Sequence, residues 1–515
     1  MNDSELTSYH AGTEHIGSGL AAQTMWALSS KIITALLNAA TMFLIVRLLL
    51  PDEYGKFSLV ISIATLWFVV AEFGVGISVS KHVAQYRGTN RALASGFMVY
   101  GFLVQVAFAG AGAAACFLSA GYVARLLRVP ELQGLLWLGS LLVILRPLQS
   151  YCLMGFLGFQ KLNYYATVEV VREGARLAGS ALLLSVGLGA AGAVGAKAAS
   201  FALSAVLGLI IVWHAFVRGT PWRVRDSRAI VSQVMRLSPA ILVISASDLL
   251  YTELTVPILG FFLNVEQVGY YSLPMRITVM LQMPAHALAL AVAPRFAASD
   301  GQSKAAVRAL FAGTVKTLLI FYVPVMFGLI ALAPELITLA FGAQYLPSAD
   351  IMRLYAIYLL AVSIGILLAL ALIYLGRARA RAVVMVCIGL TNVGLNLIMI
   401  PRLGIRGAAT AMLITYIPTV LVWLVIACRT IGLSMRRLAS TALKIGCCGL
   451  VMGVTVYLIG HNAGVARLLI AVIAGIGVYG AALLVARVVT AEELRKIMFQ
   501  RARAKETPAK ANPWN

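Results

Sequence analysis

Apolar runs of twenty or more residues, separated by short polar breaks, follow one another along almost the whole chain. That is the length a helix needs to cross a hydrocarbon core of about 30 Å. The pattern predicts fourteen spans, near 24–50, 57–83, 93–118, 132–158, 162–187, 193–217, 235–263, 267–293, 309–332, 351–375, 380–400, 407–428, 438–460 and 464–488. The expected fold class is therefore all-α and integral to the membrane, with about 14 transmembrane helices. The seventh to ninth spans carry Pro257, Pro274, Pro284 and Pro324, which predict kinked or broken helices. The 23 residues before the first span are polar and hold no Lys or Arg. With no basic segment ahead of the apolar one, that span is expected to stay in the membrane rather than to be cleaved as a signal.

The pattern repeats. At a shift of 214 residues, "PDEYGKFSL" (51–59) falls on "VEQVGYYSL" (265–273), and Lys81 falls on Arg295. At a shift of 215, "LGAAGAVGA" (188–196) overlays "LGIRGAATA" (403–411). Three matches at nearly one offset predict two six-helix halves, 24–217 and 235–428, joined by a cytoplasmic linker at 218–234. Two accessory helices at 429–488 and a basic tail at 489–515 complete the chain, with residues 1–23 as an amino-terminal tail. An even number of spans per repeat keeps both halves in the same orientation, the arrangement of parallel-repeat transporters.

Composition removes the soluble alternative. The chain is 61% hydrophobic and 12% charged, with a mean hydropathy of +0.91, against about 25% charged residues in a soluble domain. The net charge of +22 would point to nucleic acid in a soluble protein. Here it follows the loops instead. With the amino terminus inside, 26 of the 41 Lys and Arg fall in cytoplasmic segments, 6 in outer loops and 9 within spans. Both termini are thus expected to be cytoplasmic, and no nucleic-acid partner is expected. The cysteines, Cys116, Cys152, Cys387, Cys428, Cys447 and Cys448, lack metal-ligand spacing and read as small buried hydrophobes. No P-loop, HExxH, paired CxxC or D-x-D occurs, and no loop is long enough for an extramembrane catalytic domain. Neither a cofactor nor a metal is expected, nor catalytic residues.

The chemistry that remains lies in the spans. They hold Lys31, Arg47, Arg146, Arg172, Arg176, Lys197, Arg276, Lys316 and Arg353 with Glu72, Glu169, Glu173, Asp248 and Glu253, an excess of four positive charges. Facing lipid, each would cost about 2.5–3.5 kcal/mol near a helix centre. They must pair with one another or line a wet cavity. Arg47, Lys316 and Arg353 sit near span ends and can snorkel. Glu169, Arg172, Glu173 and Arg176 follow i, i+3, i+4, i+7 spacing and share one helix face. This set is either a self-neutralising ladder or a cavity wall whose arginines meet an anion. Arg146 and Arg276 have no acid within four residues of their own helix, and Pro147 is expected to open the helix beside Arg146. These two head the anion-binding candidates, followed by Arg172, Arg176, Lys31 and Lys197. Asp248, Glu253, Glu72, Glu169 and Glu173 are candidates for ion coupling or for pairing with those cations.

The segment "IVRLLLPDEYGKFSLVISIATLWFVVAEFGVGISVSKHVAQ" (45–85) resembles the opening of bacterial polysaccharide repeat-unit flippases, members of the multidrug/oligosaccharidyl-lipid/polysaccharide exporter superfamily. "VEQVGYYSLPMRI" (265–277), "LAPELITLAFGAQYLPSADIMRLYA" (332–356) and "NVGLNLIMIPRLGIRGAATAMLITY" (392–416) are similar to later landmarks of that family. The resemblance implies a V-shaped pair of six-helix bundles working by alternating access around a cationic cavity. It also implies flipping of an undecaprenyl-pyrophosphate-linked oligosaccharide across the bacterial inner membrane for exopolysaccharide, capsule or O-antigen, with polymerase and chain-length partners. Where relatives often carry an acid in span 7 this chain has Thr255, with Glu253 two residues earlier. A flippase for the peptidoglycan lipid precursor, a drug or cation antiporter, and a membrane glycan polymerase stand as alternatives. The positive excess in the spans disfavours a cationic cargo, and the short loops disfavour the polymerase.

Overall fold

The computed structural model describes residues 29–222, 227–297, 304–374, 377–460 and 464–488, and they are overwhelmingly helical, with no strand among them. The helices are α1 (Ser29–Leu48), α2 (Pro51–Glu72), α3 (Val75–Tyr86), α4 (Arg91–Leu126), α5 (Leu132–Gly158) and α6 (Leu162–Ser185). They continue with α7 (Gly189–Val212), α8 (Ser227–Thr252), α9 (Thr255–Phe262), α10 (Val265–Leu281), α11 (Met283–Ala297) and α12 (Lys304–Phe341). The last are α13 (Ser348–Tyr374), α14 (Ala378–Leu403), α15 (Ile405–Ile431), α16 (Met435–Gly460) and α17 (Val465–Val485). Among the described residues, twelve helical segments are long and apolar enough to cross a membrane. The chain is a multi-pass membrane protein. Two of the fourteen predicted spans are not among the twelve. The 162–187 span is α6, whose four charges lower its hydropathy, and 235–263 is divided at Glu253–Leu254 into α8 and α9.

Backbone chemistry explains the breaks. Span 2 is two helices, because Phe73 (φ 44°) and Gly74 (φ 70°) turn left-handed between α2 and α3. The start of α2 lies at Pro51, six residues before the predicted boundary. Proline fits the first helical position, and Asp52 and Glu53 complement the helix dipole there. Pro284 is the second residue of α11, just past the break after α10. In α12 the expected kink at Pro324 is displaced: the non-helical residue is Leu332, two before Pro334. Proline at 334 deprives the Ile330 carbonyl of its helical donor, and Arg353 Nε of α13 donates to that carbonyl at 3.4 Å. In contrast, α5 runs unbroken from Leu132 to Gly158 through Pro147, so the opening expected beside Arg146 is not formed. Four cysteines are buried as expected; Cys387 and Cys447 are exposed on the protein surface.

The described residues form two compact units. One takes the chain up to Leu273 with Met385–Ala411; the other takes Pro274–Val384 and the chain from Met412 onward. In the first, α2, α4, α5, α6 and α7 pack together, and Val79, Val83, Phe97, Phe156, Val212 and Phe216 belong to one buried apolar cluster. In the second, α12 packs on α13 and α16, and α16 on α17.

The internal repeat has structural counterparts. Gly189 and Gly404, matched at a shift of 215, both take left-handed φ (51° and 60°) ahead of α7 and α15. Such a turn favours glycine because it has no Cβ to clash. The second counterpart is a reciprocal contact in the first unit. A Cβ on Gly55 of α2 would strike the carbonyl oxygen of Val265, and one on Gly269 of α10 would strike that of Pro51. Val265 is the repeat mate of Pro51, and Gly269 of Gly55. Each helix start thus closely approaches the other.

Candidate functional site

Helix α6 carries the densest charge. Arg172 bridges Glu169 at 3.0 Å and Glu173 at 2.9 Å, while Arg176 reaches Glu173 at 3.5 Å. The helical spacing read from the sequence therefore produces one ladder. Glu173 is the most enclosed member, with 4% of its side chain exposed. Arg172 Nε is buried without a hydrogen-bond partner among the described residues. The Phe201 ring of α7 lies 5.3 Å from the Arg172 guanidinium. Lys197, four residues before Phe201, occupies the same face of α7 and is half-buried.

Helix α5 ties this ladder to α2. Gln149 Nε2 donates to Glu169 at 3.0 Å, and the next residue, Ser150, donates to Glu72 of α2 at 2.8 Å. Arg146, one turn earlier on α5, stacks its guanidinium 3.9 Å from the Phe68 ring and interacts electrostatically with Glu72. At the other end of the ladder, Lys31 of α1 lies 5.4 Å from the Tyr165 ring, one turn before Glu169. Five helices of one unit thus carry the polar groups of one region inside predicted membrane spans. It holds five cations, Lys31, Arg146, Arg172, Arg176 and Lys197, against three carboxylates, Glu72, Glu169 and Glu173. Two positive charges are in excess. Each of the three carboxylates thus has a polar or cationic neighbour.

Not every candidate joins it. Arg276 is half-buried on the part of α10 that belongs to the second unit. Glu253 accepts a hydrogen bond from Ser62 at 3.1 Å, ten residues before Glu72 on α2 and so about 15 Å away along the helix. Thr255 begins α9, and its hydroxyl accepts from Asn396 Nδ2 at 3.1 Å, while Asn396 also donates to Asn392 at 2.9 Å. The side chain of Asp248 lies outside the described residues. Sequence reading missed Phe68, Gln149, Ser150, Tyr165 and Phe201. The two polar ones could have been found as neighbours of Arg146 at i+3 and i+4; the rings carry no signal in an aromatic-rich apolar chain.

Outside the spans' polar interior, the motif 51–59 knits the loop ends. Lys56 pairs with Asp52 at 2.9 Å, Glu53 at 3.0 Å and Glu131 at 2.5 Å. Glu53 also accepts from the Ala190 amide at 2.7 Å, satisfying a free N–H at the start of α7.

Comparison with known proteins agrees with this architecture. The model of a family described as polysaccharide biosynthesis protein matches residues 44–350. The "probable low-salt glycan biosynthesis flippase" of Haloferax volcanii is 20% identical over 278 residues, 54% of this chain and 57% of that protein. The chain therefore matches little more than half the length of that relative. The solved lipid II flippase MurJ in an inward closed conformation superposes with a TM-score of 0.70 at 16% identity, over 94% of this chain and 100% of that one. An inward-facing MATE family multidrug resistance transporter of the MOP superfamily gives a TM-score of 0.68 at 16% identity, over 79% and 98%. At these identities the structures show a shared fold.

Proposed function

The chain belongs to the polysaccharide biosynthesis protein family, and from that premise we propose that it flips a lipid-linked oligosaccharide across the membrane. The cargo of this reading is an undecaprenyl-pyrophosphate-linked repeat unit for exopolysaccharide, capsule or O-antigen. It moves across the bacterial inner membrane, with both termini of the protein cytoplasmic, before use by a polymerase and its chain-length partner. The observation that carries the reading is the intramembrane assembly on α1, α2, α5, α6 and α7 with its two excess positive charges. A pyrophosphate is the part of such a cargo that most resists entering a membrane. Arginine meets its oxygens with paired in-plane N–H groups.

Stacking on Phe68 occupies one face of the Arg146 guanidinium, so its in-plane N–H groups are directed at oxygen acceptors. Glu169 and Glu173 hold Arg172 by charge until phosphate oxygens compete for it. Arg176 and Lys197 extend the positive surface, and Lys31 adds to it from α1; Arg276 of the second unit is a separate candidate cation. Asp248 and Glu253 serve as coupling or pairing acids. Transport in this reading is by alternating access, and the Gly55–Val265 and Gly269–Pro51 approaches bring the starts of α2 and α10 together. The reading is of transport, with no bond made or broken in the cargo.

Purified protein in liposomes should carry a fluorescent polyprenyl-pyrophosphate oligosaccharide from one leaflet to the other. A second arm with the peptidoglycan lipid precursor tests the neighbouring reading, because both cargoes share the pyrophosphate. Failure to move either lipid overturns the proposal. Appearance of new glycosidic bonds replaces it with a polymerase.

A further inference from the structure

The second unit contains a cationic cleft that the transport reading does not use. It lies between the first turns of α12 and of α16, with a volume of about 440 Å³. Arg308 and Lys316 of α12 and Arg437 of α16 line it, and no carboxylate does among the described residues. The rest of the wall is largely apolar, with Val315, Leu319, Leu433 and Leu438 among it. Deeper in the bundle α16 lies directly on α12, where Gly449 and Gly453 meet Val323 and Phe327. The cleft occupies the end where this close packing stops.

Its position and chemistry select the ligand. The distribution of Lys and Arg along the chain puts these helix ends on the cytoplasmic side. Arg308 and Lys316 are eight residues apart on one helix, so the charges rise about 12 Å along α12 from its start. Arg308 is anchored, since its Nε donates to the Ile431 carbonyl at 2.8 Å, while Arg437 is exposed at the mouth. A soluble anion needs cations but gains nothing from Leu319, Leu433 and Leu438. A molecule with one phosphodiester and an apolar body satisfies both parts of the wall. Basic clefts between membrane helices on the cytoplasmic side are suited to such headgroups. We propose that the α12–α16 cleft binds the headgroup of an anionic phospholipid through Arg308, Lys316 and Arg437.

The test is native mass spectrometry of the full-length protein titrated with phosphatidylglycerol or phosphatidylcholine in matched detergent. Wild type should retain phosphatidylglycerol in preference to phosphatidylcholine. Arg437→Gln should weaken that retention about fivefold, the value of one cation near a membrane surface, and Lys316→Gln/Arg437→Gln should weaken it further. Arg308 is left intact because it ties the turn before α16. Exposed Arg437 makes the single substitution safe for folding, so it decides the matter even where the double variant is poorly made. Unchanged retention in Arg437→Gln, or equal retention of the two lipids by wild type, overturns the site. Displacement by millimolar inorganic phosphate would make it a soluble-anion site. Stronger retention of polyprenyl pyrophosphate than of phosphatidylglycerol would give the cleft to the cargo. Either of these results also overturns the proposal.

Discussion

A methyl group at Gly55 should force the starts of α2 and α10 apart. The Cβ would lie against the Val265 carbonyl oxygen, far inside contact distance, and Gly269 stands in the same relation to Pro51. Both obstacles are backbone and cannot rotate away. Ordinary contact lies near 3.5 Å, so the helix starts would have to part by more than about 1 Å. Overpacking of this kind costs about 1–3 kcal/mol. An alanine within a helix returns about 0.5–1 kcal/mol relative to glycine in every conformation. The strain therefore falls on the state in which α2 and α10 touch rather than on folding. A bias of 1–3 kcal/mol changes a two-state population by a factor of about 5–150. Spin labels at positions 52 and 266, measured by pulsed electron resonance in nanodiscs, report the separation. Wild type should show a short distance; Gly55→Ala and Gly269→Ala should each transfer population to a longer one by similar amounts, because the contact is reciprocal. Valine at either position should do so more completely and slow transport. Unchanged distance distributions in both valine variants, with full transport, would mean that the α2–α10 approach carries no such strain.

Three further outcomes follow from particular contacts. Arg172→Ala removes one of two cations from enclosed Glu173, leaving Arg176 at 3.5 Å, and should cost about 1.5–3 kcal/mol. The loss would be read as a fall in melting temperature in detergent, and adding Glu173→Gln should recover much of it. Arg353→Ala leaves the Ile330 carbonyl without that donor and should cost about 1–3 kcal/mol. The same substitution should cost less in a Pro334→Ala background, where a helical amide can return; equal costs in the two backgrounds would contradict the pairing. Ser150→Ala removes the hydroxyl that donates to Glu72 and should cost about 1 kcal/mol in the same melting assay, with no change contradicting a formed bond.

The membrane class, the helical composition and the α6 ladder were legible because each depends on local pattern. Apolar length and i, i+3, i+4 spacing are read along one segment. The partners of Arg146 were not legible. Phe68 and Glu72 lie on another helix, and Ser150 is an ordinary polar residue until the fold places Glu72 beside it. The kink of α12 shows the same limit. Pro324 and Pro334 look alike in the sequence, yet the non-helical residue is Leu332, before Pro334, where Arg353 compensates the backbone. Opening at Pro147 was expected from the proline alone, but α5 continues through it. The faint matches gave no sign that Gly55 and Gly269, paired at a shift of 214, approach each other's helix starts.

In the proposed flippase, cations on α5 and α6 recognise the phosphate charge of a lipid-linked glycan. The most direct test compares flipping of two fluorescent polyprenyl oligosaccharides with the same glycan, one joined by pyrophosphate and one by a neutral link. Wild-type protein in liposomes should move the pyrophosphate form at least about tenfold faster. Arg146→Ala should remove most of that advantage, since a hydrogen bond to a charged group is worth about 1.5–3 kcal/mol and tenfold is about 1.4 kcal/mol, while leaving the slow neutral rate unchanged. Equal rates for the two lipids in wild type, or an undiminished preference in Arg146→Ala, would show that these cations do not recognise the phosphate.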